Sequence, residues 1–287
     1  MADFELGRSY VNRSDGYLAL VAAEEISEIQ FRDGIFSYGT CATRGCGTAV
    51  TGITSLAEPV KNTAFIIVAA GSGTRFGGAK QFLMLEGLPL YLHSFLAFAK
   101  FEASGPIVIV AQPEDHARIR SEVALHSPEA EVHIVTGGST RQASVRAGLE
   151  FALTIEGTEY ALVHDAARPL VSNDVIARTL EAVHVSGSAI ASIPVVDSLK
   201  LASEERVDHS ISRVGLWRAQ TPQGARLDDL LRALREADAA EHVGTDESEL
   251  LERIGIHPEL VLSEEDNFKI TYEADLERAA LILRARK

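Results

Sequence analysis

From Phe65 onward, the sequence alternates short segments rich in Val and Ile with segments that have helical periodicity. This alternation predicts crossover units around a mostly parallel sheet, because parallel strands are buried on both faces and need a connecting helix. The strand candidates are FIIVAA, PIVIVAQ, EVHIVTG, YALVHDA and SAIASIPV. The helix candidates are LYLHSFLAFAKF, DHARIRSEVALHS, TRQASVRAGLEFAL and SNDVIARTLEAVHVSG, the last capped by Ser172. We therefore expect a doubly wound α/β domain over residues 63–287.

The final segment, YEADLERAALILRARK, also has helical periodicity. Thr271 stands directly before it as the expected helix cap. Its acidic residues come early and its basic residues come late, which is the arrangement that the helix dipole favours. The sequence therefore predicts a helix at the end of the domain.

Residues 1–62 differ in pattern from the rest of the chain. One short amphipathic helix is predicted by the spacing of five apolar residues, which are Leu18, Val21, Ala22, Ile26 and Ile29. The later part, YGTCATRGCGTAVTGITSLAEP, is rich in Gly and Thr and has no steady period. We expect a weakly ordered extension before the domain, or a start site assigned too early, with the native start near Val60.

Between Val195 and Gln223 the alternation of strands and helices stops. The segment DSLKLASEERVDHSISRVGLWRAQTPQ has two short alternating stretches around a polar turn, which predicts a β-hairpin arm that projects from the sheet. Trp217, the single tryptophan, stands beside Val214 and Leu216. Because an isolated two-stranded arm is marginally stable in water, these apolar side chains predict that the arm docks on another surface.

Composition excludes several classes of partner. The formal net charge of −14 argues against nucleic acid, whose phosphates are bound by an excess of Lys and Arg. No apolar run approaches the roughly 20 residues that span a bilayer, and the N-terminus has no signal-peptide pattern. The two cysteines, Cys41 and Cys46, lack further ligands at a zinc-site spacing. We expect a cytoplasmic protein whose anionic ligands meet a local positive site.

The stretch FIIVAAGSGTRFGGAKQFL, residues 65–83, runs from a strand into a loop with four glycines, one Arg and one Lys. Glycines let backbone N–H groups approach phosphate oxygens, and open α/β sheets bind ligands at the carboxyl ends of their strands. The dinucleotide fingerprint is excluded, because the gap between Gly73 and Gly77 is one residue too long. A Walker A loop is excluded, because Lys80 is followed by Gln81.

The loop therefore presents two cations, Arg75 and Lys80, beside a flexible backbone. This combination suits phosphoryl or nucleotidyl transfer, in which negative charge accumulates on oxygen atoms in the transition state. The loop alone leaves open the alternative that both basic side chains are simply solvated.

Further segments follow the loop in a recognisable order. After VAAGSGTRFGGAKQFL come GGSTRQASVRAGL (137–149), VHDAARPLV (163–171), VDSLK through RVGLWRAQTPQ (196–223), TDESELLERIG (245–255) and DNFKIT (266–271). Together, over Thr63–Lys287, they resemble the 2-C-methyl-D-erythritol 4-phosphate cytidylyltransferase family. The resemblance implies a Rossmann-like nucleotidyltransferase fold. It also implies transfer of CMP from CTP to 2-C-methyl-D-erythritol 4-phosphate, with release of pyrophosphate, in the non-mevalonate route to isoprenoid precursors.

By this resemblance, a nucleotide site is made mostly by small residues at strand ends. Its expected members are Ala69, Ala70, Gly71, Gly73, Gly138, Ser144, Asp165 and Ala166. Asp165 is also expected to face the acceptor and to bind Mg²⁺, a hard cation that prefers oxygen ligands. Arg75 and Lys80 are expected to stabilise the charge on the α-phosphate and on the leaving pyrophosphate.

The resemblance also implies a homodimer, because the family's arm reaches into the partner's acceptor site. Ser198, Arg213 and Thr221 match the arm positions that contact the acceptor, and family members often have Thr where this chain has Ser198. Lys269 matches the lysine that holds the attacking phosphate, and Arg168 is expected in the same acceptor site. Arg213 and Lys269 would then aim the nucleophile.

Two alternatives stay open at this point. A cytidylyltransferase for another polyol phosphate, such as ribitol 5-phosphate, tends to carry Ala-Gly-Gly in the first loop and Val in place of Ala167. A non-catalytic nucleotide-binding protein would be expected to lack one of the cations Arg75, Lys80 and Lys269, and all three are present. The residues of the first loop and Ala167 favour the methylerythritol acceptor, and the presence of the three cations favours catalysis.

Overall fold

The computed structural model of the chain describes residues 62–71, 79–101 and 105–286, together with four short strands before residue 62. The chain divides into two compact units, Met1–Ala57 and Glu58–Lys287. Within the described residues, no helix is both long enough and apolar enough to cross a membrane.

The first unit contains two antiparallel strand pairs. Strands β1 and β2 pair with each other, as do β3 and β4, and their bounds are β1 (Ser9–Val11), β2 (Ala19–Val21), β3 (Ile26–Arg32) and β4 (Ile35–Thr40). The predicted amphipathic helix over Leu18–Ile29 is therefore wrong. Ile29 and Phe31 alternate with polar residues, and the sequence Asp33–Gly34 that follows is typical of a tight hairpin turn. The Gly- and Thr-rich segment begins with Tyr38, inside β4, and its part after Thr40 lies outside the described residues, so that weak order there stays a prediction.

The second unit has eleven strands and seven α-helices among its described residues. The strands are β5 (Thr63–Val68), β6 (Met84–Leu85), β7 (Leu88–Pro89), β8 (Ile107–Ala111), β9 (Val132–Thr136), β10 (Tyr160–Asp165), β11 (Ser188–Pro194), β12 (Leu199–Ser203), β13 (Arg206–Ile211), β14 (Trp217–Arg226) and β15 (Glu259–Leu262). The helices are α1 (Leu90–Ala99), α2 (His116–His126), α3 (Arg141–Ala152), α4 (Asn173–Ser186), α5 (Leu227–Ala239), α6 (Glu247–Arg253) and α7 (Glu273–Ala285).

Seven of these strands form the central sheet, in the order β15-β11-β14-β10-β5-β8-β9. β14 runs antiparallel to both of its neighbours, and the other pairings are parallel. The predicted mostly parallel α/β fold is confirmed, as are its five predicted strands and the four helices between them. The predicted cap of α4 is also confirmed, because the hydroxyl of Ser172 accepts the Val175 N–H at 3.2 Å.

Both faces of the sheet are covered by helices, which explains why strands such as β8 are continuously apolar. Phe65 and Ile67 of β5 point into one apolar cluster with α1, α2 and α4. Ala64 and Ile66 point into the opposite cluster, which α3, α5 and α6 complete. Since side chains alternate along a strand, each β5 residue is buried on one side or the other.

The predicted arm is partly confirmed. Strands β12 and β13 form an exposed antiparallel hairpin, with Glu204 and Glu205 at positive φ in its turn. Residues 217–223 were expected to belong to this arm, but they lie in β14 (Trp217–Arg226) of the central sheet. Their polar pattern suggested a surface segment, yet Gln220 and Gln223 are buried, because their side chains form hydrogen bonds inside the domain.

The C-terminal helix is confirmed as α7, but its predicted cap is wrong. The carboxylate of Asp275 accepts the backbone N–H groups of Thr271 and Tyr272, each at 2.8 Å. The hydroxyl of Thr271 instead donates to the Lys269 carbonyl. A side chain from inside the first turn thus accepts the backbone N–H groups at the start of the helix, and the Thr271 hydroxyl does not cap it.

Close packing of α3 on the sheet gives a test of this core. A Cβ at Gly148 would lie 2.6 Å from Cγ2 of Ile66 and 2.9 Å from Cγ2 of Val110, both fully buried. Overpacking of this kind costs about 1–3 kcal/mol, which exceeds the helix propensity of about 1 kcal/mol that alanine gains over glycine. We expect Gly148→Ala to lower the free energy of unfolding in urea titrations by up to about 2 kcal/mol, which is the overpacking cost less the gain in helix propensity.

The matched control is Glu150→Ala on the exposed face of the same helix, which should change the free energy of unfolding by less than about 0.5 kcal/mol. A Gly148→Ala protein more stable than the parent would contradict the packing described for α3.

Candidate active site

A cavity of about 360 Å³ lies where β5, β9 and β10 end, the edge at which open α/β sheets bind ligands. Its wall brings together most of the residues that the sequence predicted, namely Ala69, Ala70, Gly71, Lys80, Gly138, Ser144, Asp165, Ala166 and Lys269. Gly73 and Arg75 lie outside the described residues. Arg168, Ser198, Arg213 and Thr221 do not line this cavity.

The first wall is the chain that leaves β5. Ala69 N–H donates to the Val110 carbonyl at 2.8 Å, and the side-chain amide of Gln112 donates to the Ala70 carbonyl at 2.9 Å. On the other side, Ala166 N–H donates to the Val68 carbonyl at 3.2 Å. Neighbouring strands thus hold the start of the glycine loop at a fixed position, before the loop departs at Gly71.

A second wall is the tight turn between β9 and α3. A Cβ at Gly137 would lie 2.3 Å from Cβ of Ala70, so only glycine fits there. The buried hydroxyl of Ser144 accepts Gly138 N–H at 3.2 Å and donates to the Thr140 carbonyl at 2.9 Å, which braces the turn. Thr140 caps α3, since its hydroxyl accepts Ala143 N–H at 3.0 Å.

Asp165, at the end of β10, is the anionic centre of the cavity. Its Oδ1 accepts from Nε of Arg141 at 3.0 Å, and its Oδ2 accepts from Nζ of Lys269 at 2.7 Å. Burial opposes ionisation, but the positive charges of Arg141, Lys269 and Arg168 outweigh it and hold the pKa of Asp165 well below its usual range. Asp165 is therefore a carboxylate at any pH at which the protein works.

Arg141 and Glu247 are functional-site residues that the sequence did not reveal. The two terminal nitrogens of Arg141 donate to the two oxygens of Glu247 at 2.7 and 3.0 Å. Burial lowers the pKa of Arg141, yet Glu247 and Asp165 together raise it above its usual value. The partners stand 106 residues apart, so no local spacing could have predicted the pair. Both residues do lie in segments that carried the family resemblance.

Two lysines reach the same cavity from different segments. Lys80 lies on the single turn of 3₁₀ helix Lys80–Phe82, and its Nζ donates to the carbonyl of Ile270 at 3.0 Å. Lys269 precedes Ile270 in the segment between β15 and α7, and its side chain is 38% exposed. Lys80 and Lys269 therefore converge as predicted, and they form the local positive site that an acidic chain needs to bind an anion.

Arg168 and Thr221 lie in a buried network behind the cavity. The guanidinium of Arg168 donates to the Asn267 carbonyl at 2.8 Å, and burial lowers its pKa. The hydroxyl of Thr221 accepts Asp165 N–H at 3.1 Å and lies 3.0 Å from Nδ1 of His164. Thr221 was expected on the projecting arm, but it lies in β14 with 2% of its surface exposed, because its hydroxyl ties β14 to β10.

The remaining predicted residues lie on or beside the hairpin. Ser198 immediately precedes β12 and is exposed. Arg213 follows β13, is also exposed, and donates from its guanidinium to the Val196 carbonyl. Neither side chain lines the cavity of its own chain.

The cavity can offer a cation only one carboxylate. Within the described ranges, no cluster of three His, Cys, Asp or Glu side chains could hold a metal ion. Each oxygen of Asp165 accepts one hydrogen bond from a cation, so each keeps a lone pair. Mg²⁺ commonly binds to one or two carboxylates, to substrate phosphates and to water, and the cavity fits that kind of site.

The comparisons with known proteins agree on one family. A family model described as IspD: 2-C-methyl-D-erythritol 4-phosphate cytidylyltransferase matches residues 63–285. A protein of that name from Acidobacterium capsulatum is 40% identical over 232 residues, which cover 77% of this chain and 97% of the relative. A second, from Cereibacter sphaeroides strain ATCC 17023, is 41% identical over 225 residues, which cover 77% of this chain and 96% of the relative.

Solved structures give the same result. The crystal structure of 2-C-methyl-D-erythritol 4-phosphate cytidylyltransferase from Thermus thermophilus matches with a TM-score of 0.64 and 31% identity, over 77% of this chain and 98% of the other. The Francisella tularensis structure of the same description matches with a TM-score of 0.65 and 30% identity, over 77% of this chain and 99% of the other.

The network behind Asp165 makes a prediction for acid stability. Nδ1 of His164 can accept from Thr221 and Nε2 can donate to the Arg168 carbonyl only in the neutral ring, and burial lowers the pKa of His164 from 6.5 to about 4. The pKa of His164 is lower in the folded protein than in the unfolded chain. The contribution of the neutral His164 ring to the free energy of unfolding is therefore complete above pH 6.5 and is lost as the pH falls toward 4. The loss should approach about 3 kcal/mol.

Urea titrations of the parent and of His164→Gln, at neutral pH and near pH 4, measure the contribution of His164 to the free energy of unfolding. The parent should lose more free energy of unfolding than the variant, by up to about 3 kcal/mol. Equal losses in the two proteins would show that His164 is not held neutral in the folded state.

Proposed function

The chain belongs to the 2-C-methyl-D-erythritol 4-phosphate cytidylyltransferase family, and we propose that the cavity around Asp165 is where it carries out that family's reaction. The protein is a nucleotidyltransferase of isoprenoid biosynthesis that makes 4-diphosphocytidyl-2-C-methyl-D-erythritol from CTP and methylerythritol phosphate. The observation that carries the proposal is the convergence of Lys80, Lys269 and Asp165 at the ends of the strands.

In the reaction, an oxygen of the methylerythritol phosphate attacks the α-phosphorus of CTP. A new P–O bond forms, the bond from the α-phosphorus to the oxygen bridging the α- and β-phosphates breaks, and pyrophosphate leaves with that electron pair. A phosphate monoester is largely ionised near neutral pH, so the nucleophile needs no general base. Catalysis then depends on alignment of the two phosphates and on neutralisation of their charge.

We assign the two lysines to the two sides of this displacement. Lys80 follows the glycine loop and would neutralise charge on the α-phosphate and the pyrophosphate. Lys269 is held beside Asp165 and would bind the attacking phosphate. Arg75, which stands in the glycine loop outside the described residues, stays a predicted partner of Lys80.

The nucleotide would bind along the two glycine-containing walls. Ala69, Ala70 and Gly71 expose backbone at the end of β5, and Gly138 and Ser144 form the braced turn opposite. Small side chains leave room for a base and ribose between these walls, where backbone groups can select the base by hydrogen bonding. Ala166 closes the floor of this site.

Mg²⁺ would be held by Asp165 together with the phosphate oxygens of CTP. When bound, the ion would supply positive charge to the phosphate oxygens. The chain's own contribution is the fixed orientation of the Asp165 carboxylate between Arg141 and Lys269.

Ser198 and Arg213 would act from the arm on the acceptor of a partner subunit, which makes the homodimer part of the proposal. Its support is the exposed apolar surface around the arm, where Val214 is 88% and Trp217 is 38% exposed. Because Thr221 is buried in β14, its expected contact with the acceptor is less direct, through the Asp165 backbone. Arg168 would act from the same buried network. The cytoplasmic location stays a prediction.

We expect Lys80→Ala to lower kcat at least about a hundredfold, because removing one preorganised donor costs about 3–4 kcal/mol of transition-state stabilisation. Pyrophosphate release with CTP and methylerythritol phosphate measures the effect. Lys100→Ala removes an exposed lysine just after α1 and should leave turnover unchanged. Parental turnover in Lys80→Ala would refute the role of Lys80.

The acceptor is tested by the same assay with two polyol phosphates. Methylerythritol phosphate should support pyrophosphate release with CTP, whereas ribitol 5-phosphate should support little. Faster release with ribitol 5-phosphate would favour the other cytidylyltransferase class. No release with either acceptor would favour a non-catalytic nucleotide-binding protein.

A further inference from the structure

Four charged side chains form a continuous chain beside the cavity, in the order Glu247, Arg141, Asp165 and Lys269. Their nitrogen-to-oxygen distances are 2.7 and 3.0 Å for the first pair, 3.0 Å for the second and 2.7 Å for the third. The charges alternate in sign along this chain. Asp165 and Lys269 have roles in the proposed reaction, whereas Glu247 and Arg141 have none so far.

Glu247 is itself held in a fixed place. It is the first residue of α6 and is 2% exposed. The residues on either side of it are bound to Gln223 of β14, whose amide donates to Asp246 at 3.0 Å and accepts from Ser248 N–H at 2.9 Å. Hydrogen bonds to the central sheet therefore hold the Glu247 segment in place, in addition to its contact with Arg141.

The orientation of Arg141 follows from that of Glu247. Both terminal nitrogens of the guanidinium face the Glu247 carboxylate, so Nε is the nitrogen that meets Asp165. A guanidinium released from Glu247 could turn its two-pronged edge to Asp165 and bind both carboxylate oxygens. Arg141 would then compete with Lys269 for Oδ2 of Asp165.

We propose that Glu247 is a positioning residue, which holds Arg141 so that only one oxygen of Asp165 is bound by it and the other faces Lys269. The proposal rests on the assignment of the cavity as the active site. It places Glu247 behind the acceptor side of the reaction, because Lys269 holds the attacking phosphate. The hydrogen bonds of Glu247 go to Arg141, whereas those that brace the nucleotide wall join Gly138 and Ser144.

A purely structural role makes a different prediction. Removal of one partner leaves a buried charge and destabilises a fold, whereas replacement of both partners by apolar residues of similar volume is often neutral or stabilising. A double variant, Arg141→Met with Glu247→Leu, therefore separates loss of positioning from loss of folding. The matched control is Arg146→Met with Asp238→Leu, which removes an ion pair made by the same helix α3 but without contact to Asp165.

Steady-state pyrophosphate release with each substrate varied, together with thermal unfolding, tests the proposal. We expect the Arg141→Met, Glu247→Leu protein to unfold near the parental temperature, with kcat/KM for methylerythritol phosphate lowered at least about tenfold, because Asp165 loses the contact that fixes its Oδ1 and the Lys269 bound to its Oδ2 is displaced. The KM for methylerythritol phosphate should rise more than the KM for CTP, because Lys269 would contact the attacking phosphate, whereas a uniform loss of active protein would move neither KM. The control should match the parent.

A folded double variant with parental kcat/KM for methylerythritol phosphate would overturn the inference and leave the proposed function standing. A parent protein that releases no pyrophosphate from these substrates would overturn the proposed function and the inference with it. Glu247→Gln keeps Arg141 and therefore tests Glu247 itself, whether or not the double variant folds: kcat/KM for the acceptor should fall by at least about fivefold, the effect of one weakened charged hydrogen bond. Parental values in Glu247→Gln would also overturn the inference.

Discussion

The active-site edge of this protein depends on one buried carboxylate. Asp165 is 7% exposed, and a charge so poorly hydrated persists only when it is paired and hydrogen-bonded. Arg141 and Lys269 supply the pairing, and the hydroxyl of Thr221 fixes the adjacent backbone. Since Arg141 comes from α3 and Lys269 from the segment before α7, one ionised group holds two distant parts of the chain around the cavity.

The same arrangement explains how a chain with a net charge of −14 can bind two anionic substrates. Asp165 draws Arg141 and Lys269 to the ends of the strands, and Lys80 joins them through the Ile270 carbonyl. The acidic residue therefore organises a cationic site instead of opposing it. Glu247 pairs with the terminal nitrogens of Arg141, and we propose the two lysines as the cations that contact phosphate.

The parts of the fold that the sequence predicted are those with simple periodicity. Strands such as β5 and β8 are apolar throughout because both faces are buried, and helices such as α4 have clear caps. β14 was missed because QTPQG is polar and contains proline, which is typical of loops. The side chains of Gln220 and Gln223 are satisfied by hydrogen bonds with Asn267, Asp246 and Ser248, residues that no local pattern connects to β14.

The candidate site also contains both residues that the sequence predicted and residues that it did not predict. Lys80, Lys269 and Asp165 were predicted because they stand in segments of recognisable order, and the structure brings them to one cavity. Arg141 and Glu247 were not predicted, because their roles come from contacts between α3, α6 and β10 that only tertiary structure reveals. Thr221 was assigned to the arm because hairpin residues and a buried polar strand have similar sequence patterns.

The central claim is that Asp165 is held as a carboxylate by the cations around it. A carbon-13 NMR titration of its carboxyl carbon, assigned with Asp165→Asn, measures this directly. The structure predicts that the signal stays that of an ionised group as the pH falls to the usual carboxyl pKa of 3.8. A midpoint at or above that value would contradict the account.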